Sequence, residues 1–433
     1  MTDSVSRRTF IQTTAAATAA FALHGGVRAA GSDIIRVGVV GCGGRGTGAA
    51  RDCMRSSEGV EVVALGDLAP DRLARCRGEL TKFAQTDPAF ATKLKLTDER
   101  CFSGFDAIHK VLNAGVDFVI LAAPPFFRPA HLAAALAAGK HVFAEKPVAV
   151  DSAGIRSVLA SYKVAKDKGL GVGVGTQRRH QAEYLQAIER IQGGAIGPVM
   201  SGQVYWNQGG LWNLDRQPEW TDAEWQIRNW LYFTWLSGDH IVEQHVHNID
   251  VANWFIGAHP VKAVGTGGRQ SRTDPKYGHI YDHFAIDFEY PNGVHVLSMS
   301  RQIEGTQGRI GEHFIGAKGT VEMRNEGTAE IRGANAWTWA RPEKRINPYV
   351  QEHTDLIASI RAGKPLNELL TIAESNLTAI MGREAAYTGQ EVTWEQALNA
   401  DLDLTPPMVG FGPLEVPPVP MPGKTKLSRK FNG

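Results

Sequence analysis

The sequence predicts an α/β fold for its N-terminal part, built on a doubly wound parallel sheet. Short apolar runs rich in β-branched residues alternate with helix-compatible stretches, and a glycine-rich turn follows the first run. The runs expected to form strands are 34–40, 60–65, 116–122, 141–144 and 171–175. Helix-compatible stretches at 47–55, 128–138 and 155–168 separate several of them, so the repeated unit is β-α and its strands should run parallel.

The turn after the first predicted strand fits the pattern of a dinucleotide-binding loop. Residues 41–46 read Gly-Cys-Gly-Gly-Arg-Gly, which satisfies G-x-G-x-x-G between a strand and a helix. The first glycine permits a tight turn, the second lets the backbone approach a pyrophosphate, and the last lets helix and strand pack closely. The pyrophosphate would then lie at the helix N-terminus, where the unpaired N–H groups favour anions. The cofactor contacts expected here are Gly41, Gly43, Gly44, Arg45 and Gly46.

Asp67 ends the second predicted strand, about 20 residues past the loop, where an acidic side chain grips the adenosine ribose. Its charge would repel a 2′-phosphate, so NAD is favoured as the cofactor. Arg72 and Arg75 lie close in sequence and keep NADP open.

The first thirty residues are expected to be a signal peptide. Residues 6–11 read Ser-Arg-Arg-Thr-Phe-Ile, a twin-arginine pattern, and a small apolar run and a small-x-small cleavage site follow. The run is too short to span a membrane, which requires about 20 apolar residues. Because the twin-arginine route exports folded proteins, we expect a periplasmic or other extracytoplasmic location, a tightly bound and recycled cofactor, and no membrane contact in the mature form.

Charge and cysteine content exclude two classes of function. Lys and Arg number 46 against 45 for Asp and Glu, a formal net charge of +1, so nothing indicates nucleic-acid binding. The four cysteines form no C-x-x-C pair, which argues against zinc sites of that type.

Several motifs in order resemble the Gfo/Idh/MocA oxidoreductases. Residues 145–147 read Glu-Lys-Pro, 175–179 read Gly-Thr-Gln-Arg-Arg, and 316–320 read Gly-Ala-Lys-Gly-Thr, and His-Asn-Ile-Asp stands at 247–250. The resemblance spans about residues 34–390. It implies a Rossmann domain followed by a domain with an open, mainly antiparallel sheet, and association into homodimers or homotetramers. The strand-like runs available for that sheet are 199–206, 284–290, 294–300 and 320–323.

The expected organisation has four parts. They are a signal peptide at 1–30, an NAD(P)-binding Rossmann domain at 34–178, a substrate and oligomerisation domain at 179–400, and a proline-rich arm at 401–433. Seven prolines between 406 and 422 exclude a helix or a central strand there.

The resemblance also implies roles for individual residues. In the family, the lysine of Glu-Lys-Pro lies beside the nicotinamide and touches the reacting hydroxyl, and Lys146 occupies that position. His247 matches the acid/base histidine, whereas Glu243 stands where family dehydrogenases usually carry aspartate. An ammonium suits the site because it stabilises alkoxide character as hydride leaves, while a histidine accepts the proton. Pro124 and Glu145, at strand ends, are further candidates for cofactor contact.

The segment 238–254 admits two interpretations. On a helix, Glu243 and His247 share a face and Asp250 lies one turn further along it. In an extended chain, Glu243, His245 and His247 would share a face and form a metal site. We expect the helix and no bound metal.

Substrate contacts are expected from scattered polar and aromatic residues. The polar candidates are Arg178, Tyr205, Asp250 and His283. Seven of the ten tryptophans lie between 206 and 254, and one or two of them are expected to stack on a sugar ring.

The sequence therefore predicts an NAD-dependent oxidoreductase acting on a hydroxyl of a saccharide or polyol. One alternative is an NAD-dependent glycosidase that oxidises, eliminates, hydrates and re-reduces its substrate. A second alternative is a non-catalytic, dinucleotide-bound sugar sensor.

Overall fold

The computed structural model describes residues 5–6, 34–324 and 327–432. Apart from residues 5–6, the predicted signal peptide lies outside the described residues. The strands are β1 (Val5–Ser6), β2 (Ile35–Val40), β3 (Val60–Asp67), β4 (Cys101–Ser103), β5 (Phe118–Leu121), β6 (His141–Ala144), β7 (Val172–Val174), β8 (Val199–Gln208), β9 (Lys262–Gly268), β10 (His283–Glu289), β11 (His295–Gln302), β12 (Arg309–Gly316), β13 (Gly319–Arg324), β14 (Thr328–Gly333), β15 (Trp337–Thr338), β16 (Val392–Thr393), β17 (Leu402–Asp403), β18 (Met408–Val409) and β19 (Arg429–Lys430).

Helices connect and cover these strands. They are α1 (Gly44–Ser56), α2 (Pro70–Ala84), α3 (Pro88–Ala91), α4 (Ala107–Asn113), α5 (Arg128–Ala137), α6 (Ser152–Lys168), α7 (Ala182–Gln192), α8 (Asp222–Arg228), α9 (Thr234–Ser237), α10 (His240–Glu243), α11 (Val246–Ile256), α12 (Pro348–Arg361), α13 (Leu369–Thr388) and α14 (Trp394–Asn399). Short 3₁₀ helices lie at Asp98–Arg100, Pro125–Phe127, Gln177–His180, Trp230–Tyr232, Pro275–Tyr277 and Pro291–Gly293. Within the described part of the chain, none of the helices is both long enough and apolar enough to cross a bilayer.

The N-terminal sheet has six strands in the order β4-β3-β2-β5-β6-β7, and every pair in it is parallel. This confirms the predicted doubly wound Rossmann sheet. The chain winds outward in both directions from β2, so the switch point lies between β2 and β5. Ligands of such sheets bind outside the carboxyl ends of the strands at that point.

The second sheet has nine strands in the order β15-β14-β13-β12-β8-β11-β10-β9-β16. Only β8 and β11 pair in parallel, and the other neighbours are antiparallel, which confirms the open, mainly antiparallel sheet. Residues of β10 and β11 alternate between buried and partly exposed, since one face of the sheet packs on helices such as α13. The other face carries exposed apolar side chains, including Val264, Leu297 and Ile315.

Helix α12 returns from the second sheet and packs on the first. Leu356 and Ile357 are fully buried in the same apolar cluster as Val37 and Phe143 of the parallel sheet. Gly173 on β7 permits this approach, since a Cβ there would lie 2.9 Å from the Leu356 side chain. The nucleotide part of the fold is therefore completed by residues far along the chain.

The C-terminal arm lies over the body of the protein. Leu402 and Phe431 are buried, and β17 pairs in parallel with β19. The backbone N–H of Leu404 donates to Asp151, and the Arg429 guanidinium pairs with buried Glu384. The proline-rich arm is thus held by short strand pairing together with side-chain contacts.

The glycine turn between β2 and α1 is shaped by two close approaches. Gly41 has φ +98°, and a Cβ there would lie 2.2 Å from the Ala123 backbone nitrogen. A Cβ on Gly46 would lie 1.8 Å from the Gly41 carbonyl oxygen. Gly43 differs, because a Cβ there meets nothing within 4 Å and its φ of −73° suits any residue. Gly41 and Gly46 serve the packing, and Gly43 leaves open space above the loop.

We therefore expect Gly46→Ala to destabilise the fold and Gly43→Ala to leave it nearly unchanged. The first substitution forces the loop and helix apart, at a cost of about 2 kcal/mol or more, whereas the second costs less than about 1 kcal/mol. Urea unfolding followed by circular dichroism measures both. Equal destabilisation by the two substitutions would contradict this assignment of roles.

Candidate active site

A cleft of about 610 Å³ opens at the carboxyl edge of the parallel sheet. Residues that follow β2, β3, β5, β6 and β7 form one wall of it. All but one of the cofactor contacts expected from the sequence line this cleft: Gly41, Gly43, Gly44, Arg45, Asp67, Pro124, Glu145 and Lys146. Gly46 does not line it and instead packs α1 against the turn.

The residues at the glycine turn fit a dinucleotide. The open space at Gly43 would be filled by any Cβ, and it lies where α1 begins with unpaired backbone N–H groups. A pyrophosphate in that space meets backbone donors and the positive end of the helix dipole.

Asp67 fits a ribose at the end of β3. Its carboxylate accepts the backbone N–H of Cys42 at 2.6 Å and of Ala69 at 2.8 Å. Burial raises the pKa of Asp67, and these two N–H donors partly oppose that effect. Each carboxylate oxygen has a second lone pair, which leaves an acceptor for a ribose hydroxyl.

Arg45 ties the glycine turn to the end of β6. Its guanidinium pairs with Glu145 at 2.8 Å and with Asp52 at 3.1 Å, and it lies 4.8 Å from the centre of the Tyr349 ring. Tyr349 is contributed by α12. These contacts hold Glu145, and with it the neighbouring Lys146, at the edge of the cleft.

Lys146 bridges the two parts of the fold. Its Nζ donates to the Glu243 carboxylate at 3.0 Å and to the Glu243 backbone carbonyl oxygen. Both side chains are largely buried, with about a tenth of their surface exposed (11% and 9%). Because an ammonium carries three donors, one N–H of Lys146 is left for an oxygen in the cleft.

The predicted continuous helix through 238–254 is interrupted. Helix α10 ends at Glu243 and α11 begins at Val246, and between them the His245 N–H donates to the His240 carbonyl, five residues back, at 3.1 Å. This widened, π-type turn shifts the register by one residue. Glu243 and His247 both line the cleft nevertheless, while Asp250 does not.

His247 is buried close to two cations, Lys146 and Arg178. Its ring stacks on Trp206 with the centroids 5.7 Å apart, and its Nδ1 has no hydrogen-bond partner among the described residues. Burial, followed by the charges of Lys146 and Arg178, holds the pKa of His247 well below its ordinary value. The imidazole is therefore neutral and able to accept a proton.

His245 points elsewhere. Its Nε2 lies 2.8 Å from Ser298 Oγ, on the buried face of the second sheet, and burial lowers its pKa to about 3. Residues 34–324 and 327–432 contain no group of three or more side chains arranged to hold a metal ion.

Two of the predicted substrate contacts lie in buried ion pairs outside the cleft. Arg178 pairs with Glu312 at 2.6 Å, and Asp250 pairs with Arg179 at 2.8 Å. Asp250 also accepts the Ser375 hydroxyl at 2.7 Å. Arg178 still affects the site, because its positive charge contributes to the lowered pKa of His247. Its guanidinium lies 5.6 Å from the centre of the Trp206 ring, on which His247 stacks.

Tyr205 and His283 also lie away from the cleft. The Tyr205 ring is covered by the Arg309 guanidinium at 3.9 Å, and its hydroxyl donates to Gln203. His283 pairs with Asp282 at 2.8 Å at the start of β10.

Trp212 and Trp230, which belong to the tryptophan group expected to supply a sugar-stacking residue, line the cleft. The sequence did not single out Gln177, Gln244 and Tyr349, which also line it. Gln177 lies in the Gly-Thr-Gln-Arg-Arg motif, and its buried Oε1 has no partner among the described residues, so it is an acceptor for a ligand hydroxyl. Tyr349 gave no local signal, since only the packing of α12 brings it to the site.

Family comparison agrees with the geometry. Residues 35–176 match the family described as "Oxidoreductase family, NAD-binding Rossmann fold", and residues 184–322 match the "GFO/IDH/MocA C-terminal domain".

Individual proteins are similar over most of their length. The chain is 30% identical to inositol 2-dehydrogenase 3 of Saccharopolyspora erythraea over 340 residues, 76% of this chain and 87% of that protein. Aldose-aldose oxidoreductase of Caulobacter crescentus shares the fold at 18% identity and a TM-score of 0.65, covering 83% of this chain and 99% of that one. Levoglucosan dehydrogenase, solved with NADH and levoglucosan, shares the fold at 18% identity and a TM-score of 0.65, covering 84% and 100%.

The glycine turn, Asp67, the Lys146 bridge and these similarities lead to one conclusion. The chain belongs to the Gfo/Idh/MocA family of NAD-dependent oxidoreductases.

Proposed function

We propose that the protein transfers hydride between NAD and a hydroxyl-bearing carbon of a saccharide or polyol. The observation that carries this proposal is the grouping of Lys146, Glu243 and His247 at the carboxyl edge of the NAD-binding sheet. The relatives named inositol 2-dehydrogenase support the substrate class. Bound NAD supplies the hydride acceptor, or the donor in the reverse direction.

Lys146 orients and polarises the reacting oxygen. Its remaining N–H donates to the substrate hydroxyl, and its charge stabilises negative charge that develops on that oxygen. Glu243 holds the ammonium through two of its three donors, so Lys146 cannot turn away from the cleft.

His247 takes the hydroxyl proton and returns it in the reverse reaction. Its lowered pKa keeps the ring neutral near pH 7. A neutral ring can accept a proton, whereas an imidazolium cannot. Gln177 and the aromatic residue Trp212 line the same cleft and provide a polar acceptor and a flat apolar surface for a sugar ring.

Export of the folded protein with its cofactor is part of this proposal. The twin-arginine pattern at 6–11 supports a periplasmic or other extracytoplasmic location. Fractionation of cells that express the full chain, compared with an Arg7→Lys/Arg8→Lys variant, tests this location.

Association into homodimers or homotetramers is also proposed, through the uncovered face of the nine-stranded sheet. Val264 and Leu297 are exposed there by 43% and 39%, and both flank Asp287 in the strand register. A surface of this kind is typical of contacts between protein chains.

Lys146→Met is expected to slow hydride transfer by about 100-fold or more, because the developing oxyanion loses its cation. Single-turnover appearance of NADH absorbance after mixing with myo-inositol, D-glucose or levoglucosan measures the rate. NADH binding, followed by fluorescence, should change little by comparison.

Lys166→Met, on an exposed part of α6, is the matched control and should react at the wild-type rate. Undiminished turnover by the Lys146 variant would refute the role given to the ammonium. Products formed from a glycoside are analysed in the same experiment, since release of the aglycone would indicate redox-assisted glycoside cleavage instead.

The kcat/KM for alcohol oxidation is expected to stay level between pH 8 and pH 6. A histidine with an ordinary pKa near 6.5 would lose about three quarters of its basic form by pH 6, a fall of about fourfold. The pKa of His247 lies well below that value, so its basic form persists and the acid limb moves to lower pH. A fourfold fall by pH 6, with NADH binding constant over the range, would contradict this.

Leu297→Glu is expected to lower the molecular mass in solution, because it places a charge in the middle of the proposed contact. Light scattering after gel filtration measures the mass. Ile346→Glu, at a residue 70% exposed outside the nine-stranded sheet, is the control. A wild-type monomer would disprove the proposed association.

A further inference from the structure

Two segments that lie outside the Rossmann domain cover the end of the cleft at which Asp67 lies. On one side are Asp67, the last residue of β3, and Asp71, Arg72 and Phe105, which follow β3 and β4. The residues that face them come from the segment after β8 and from the C-terminal arm: Leu214, Glu224, Ile227, Arg228, Trp230 and Phe411. Because Asp67 marks the ribose of the adenosine, this cover lies over the adenosine end of the cofactor groove.

Arg228, at the end of α8, attaches the cover to the nucleotide part. Its guanidinium donates to both oxygens of Asp71, at 2.8 and 3.0 Å, and its backbone carbonyl accepts from Arg72 at 3.2 Å. A second carboxylate, Glu224, accepts from its Nε at 3.0 Å and fixes the side chain. The guanidinium also lies 4.8 Å from the centre of the Trp220 ring. Two-pronged contacts of this kind are directional and stronger than a single charge pair.

The C-terminal arm attaches to the other side of α8. The Gly412 carbonyl accepts the Ala223 N–H at 3.1 Å, and the Gln226 side chain donates to the Leu414 carbonyl at 2.8 Å. Phe411 meets Phe105 edge to face, with the ring centres 5.4 Å apart. Helix α8 is therefore held between the nucleotide part and the arm, and the arm itself reaches the cofactor groove.

We propose that α8 and residues 411–414, together called the clasp, keep the adenosine half of NAD in the cleft between turnovers. The proposal rests on NAD being the cofactor bound at the glycine turn. Release from this end requires Arg228 to leave Asp71 and Phe411 to leave Phe105. Arg72 is engaged by the Arg228 carbonyl, so the clasp also occupies an arginine that would otherwise meet a 2′-phosphate.

Dissociation of NADH tests the clasp directly. The protein is loaded with NADH, freed of excess by gel filtration and mixed with a large excess of NAD, and the decay of NADH fluorescence gives the release rate. Arg228→Ala and Phe411→Ala are expected to release NADH about tenfold faster than wild type or more. Asp71→Asn should act like Arg228→Ala. The double variant Asp71→Asn/Arg228→Ala should release NADH no faster than either single variant, because both substitutions remove the same contact.

Arg332→Ala is the matched control, because Arg332 forms an exposed pair with Glu330 on the second sheet, away from the cleft. It should release NADH at the wild-type rate. Thermal melting shows whether each variant is folded, and Phe411→Ala, which leaves the Arg228–Asp71 pair intact, tests the clasp independently if Arg228→Ala is unstable.

The outcomes separate the clasp from the proposed function. Folded Arg228→Ala and Phe411→Ala variants that release NADH at the wild-type rate would overturn the clasp and leave NAD-dependent catalysis intact. A wild-type protein that binds no NADH would overturn both.

Discussion

The site depends on one buried ion pair that joins the two parts of the fold, Lys146 with Glu243. Removing two charges from water is costly, and a pair of this kind is favourable only when further hydrogen bonds satisfy it. Lys146 meets that condition by also donating to the backbone carbonyl of its partner residue. The pair therefore fixes the distance across the cleft, and a displaced second domain would leave an ammonium buried without compensation. Glu243 is the last residue of α10. Its side chain is longer than that of the aspartate expected from the family, and it spans this distance.

Charge around His247 follows from the same pair. Lys146 and Arg178 both lower the pKa of the imidazole, and each is neutralised by its own carboxylate, Glu243 and Glu312. The two cations therefore favour negative charge on a substrate oxygen without making the site strongly positive as a whole. A neutral base and a fixed cation side by side are what the removal of a hydroxyl proton requires.

The sequence predicted the features that depend on local patterns, such as glycine spacing and strand ends. It missed the contacts that depend on packing between distant segments. Glycine spacing, strand ends and the Glu-Lys-Pro motif predicted cofactor contacts at Asp67, Glu145 and Lys146. All three line the cleft, because each lies at the carboxyl end of a strand of the parallel sheet. Arg178 was expected to contact substrate, but it pairs with Glu312. Asp250 was also expected to contact substrate, but it pairs with Arg179. No spacing in the sequence predicts these ion pairs. Tyr349 reaches the cleft only because α12 packs on the first sheet, beside the space left by Gly173.

The same long-range packing joins the two parts of the fold. Helix α12 completes the core of the first sheet, and the C-terminal arm completes the cover over the end of the cleft at which Asp67 lies. Both segments come late in the chain, so the groove is finished only after the second sheet and the arm are in place. The proposed retention of NAD depends on this packing, because α8 and the arm enclose the groove only while both are held in place.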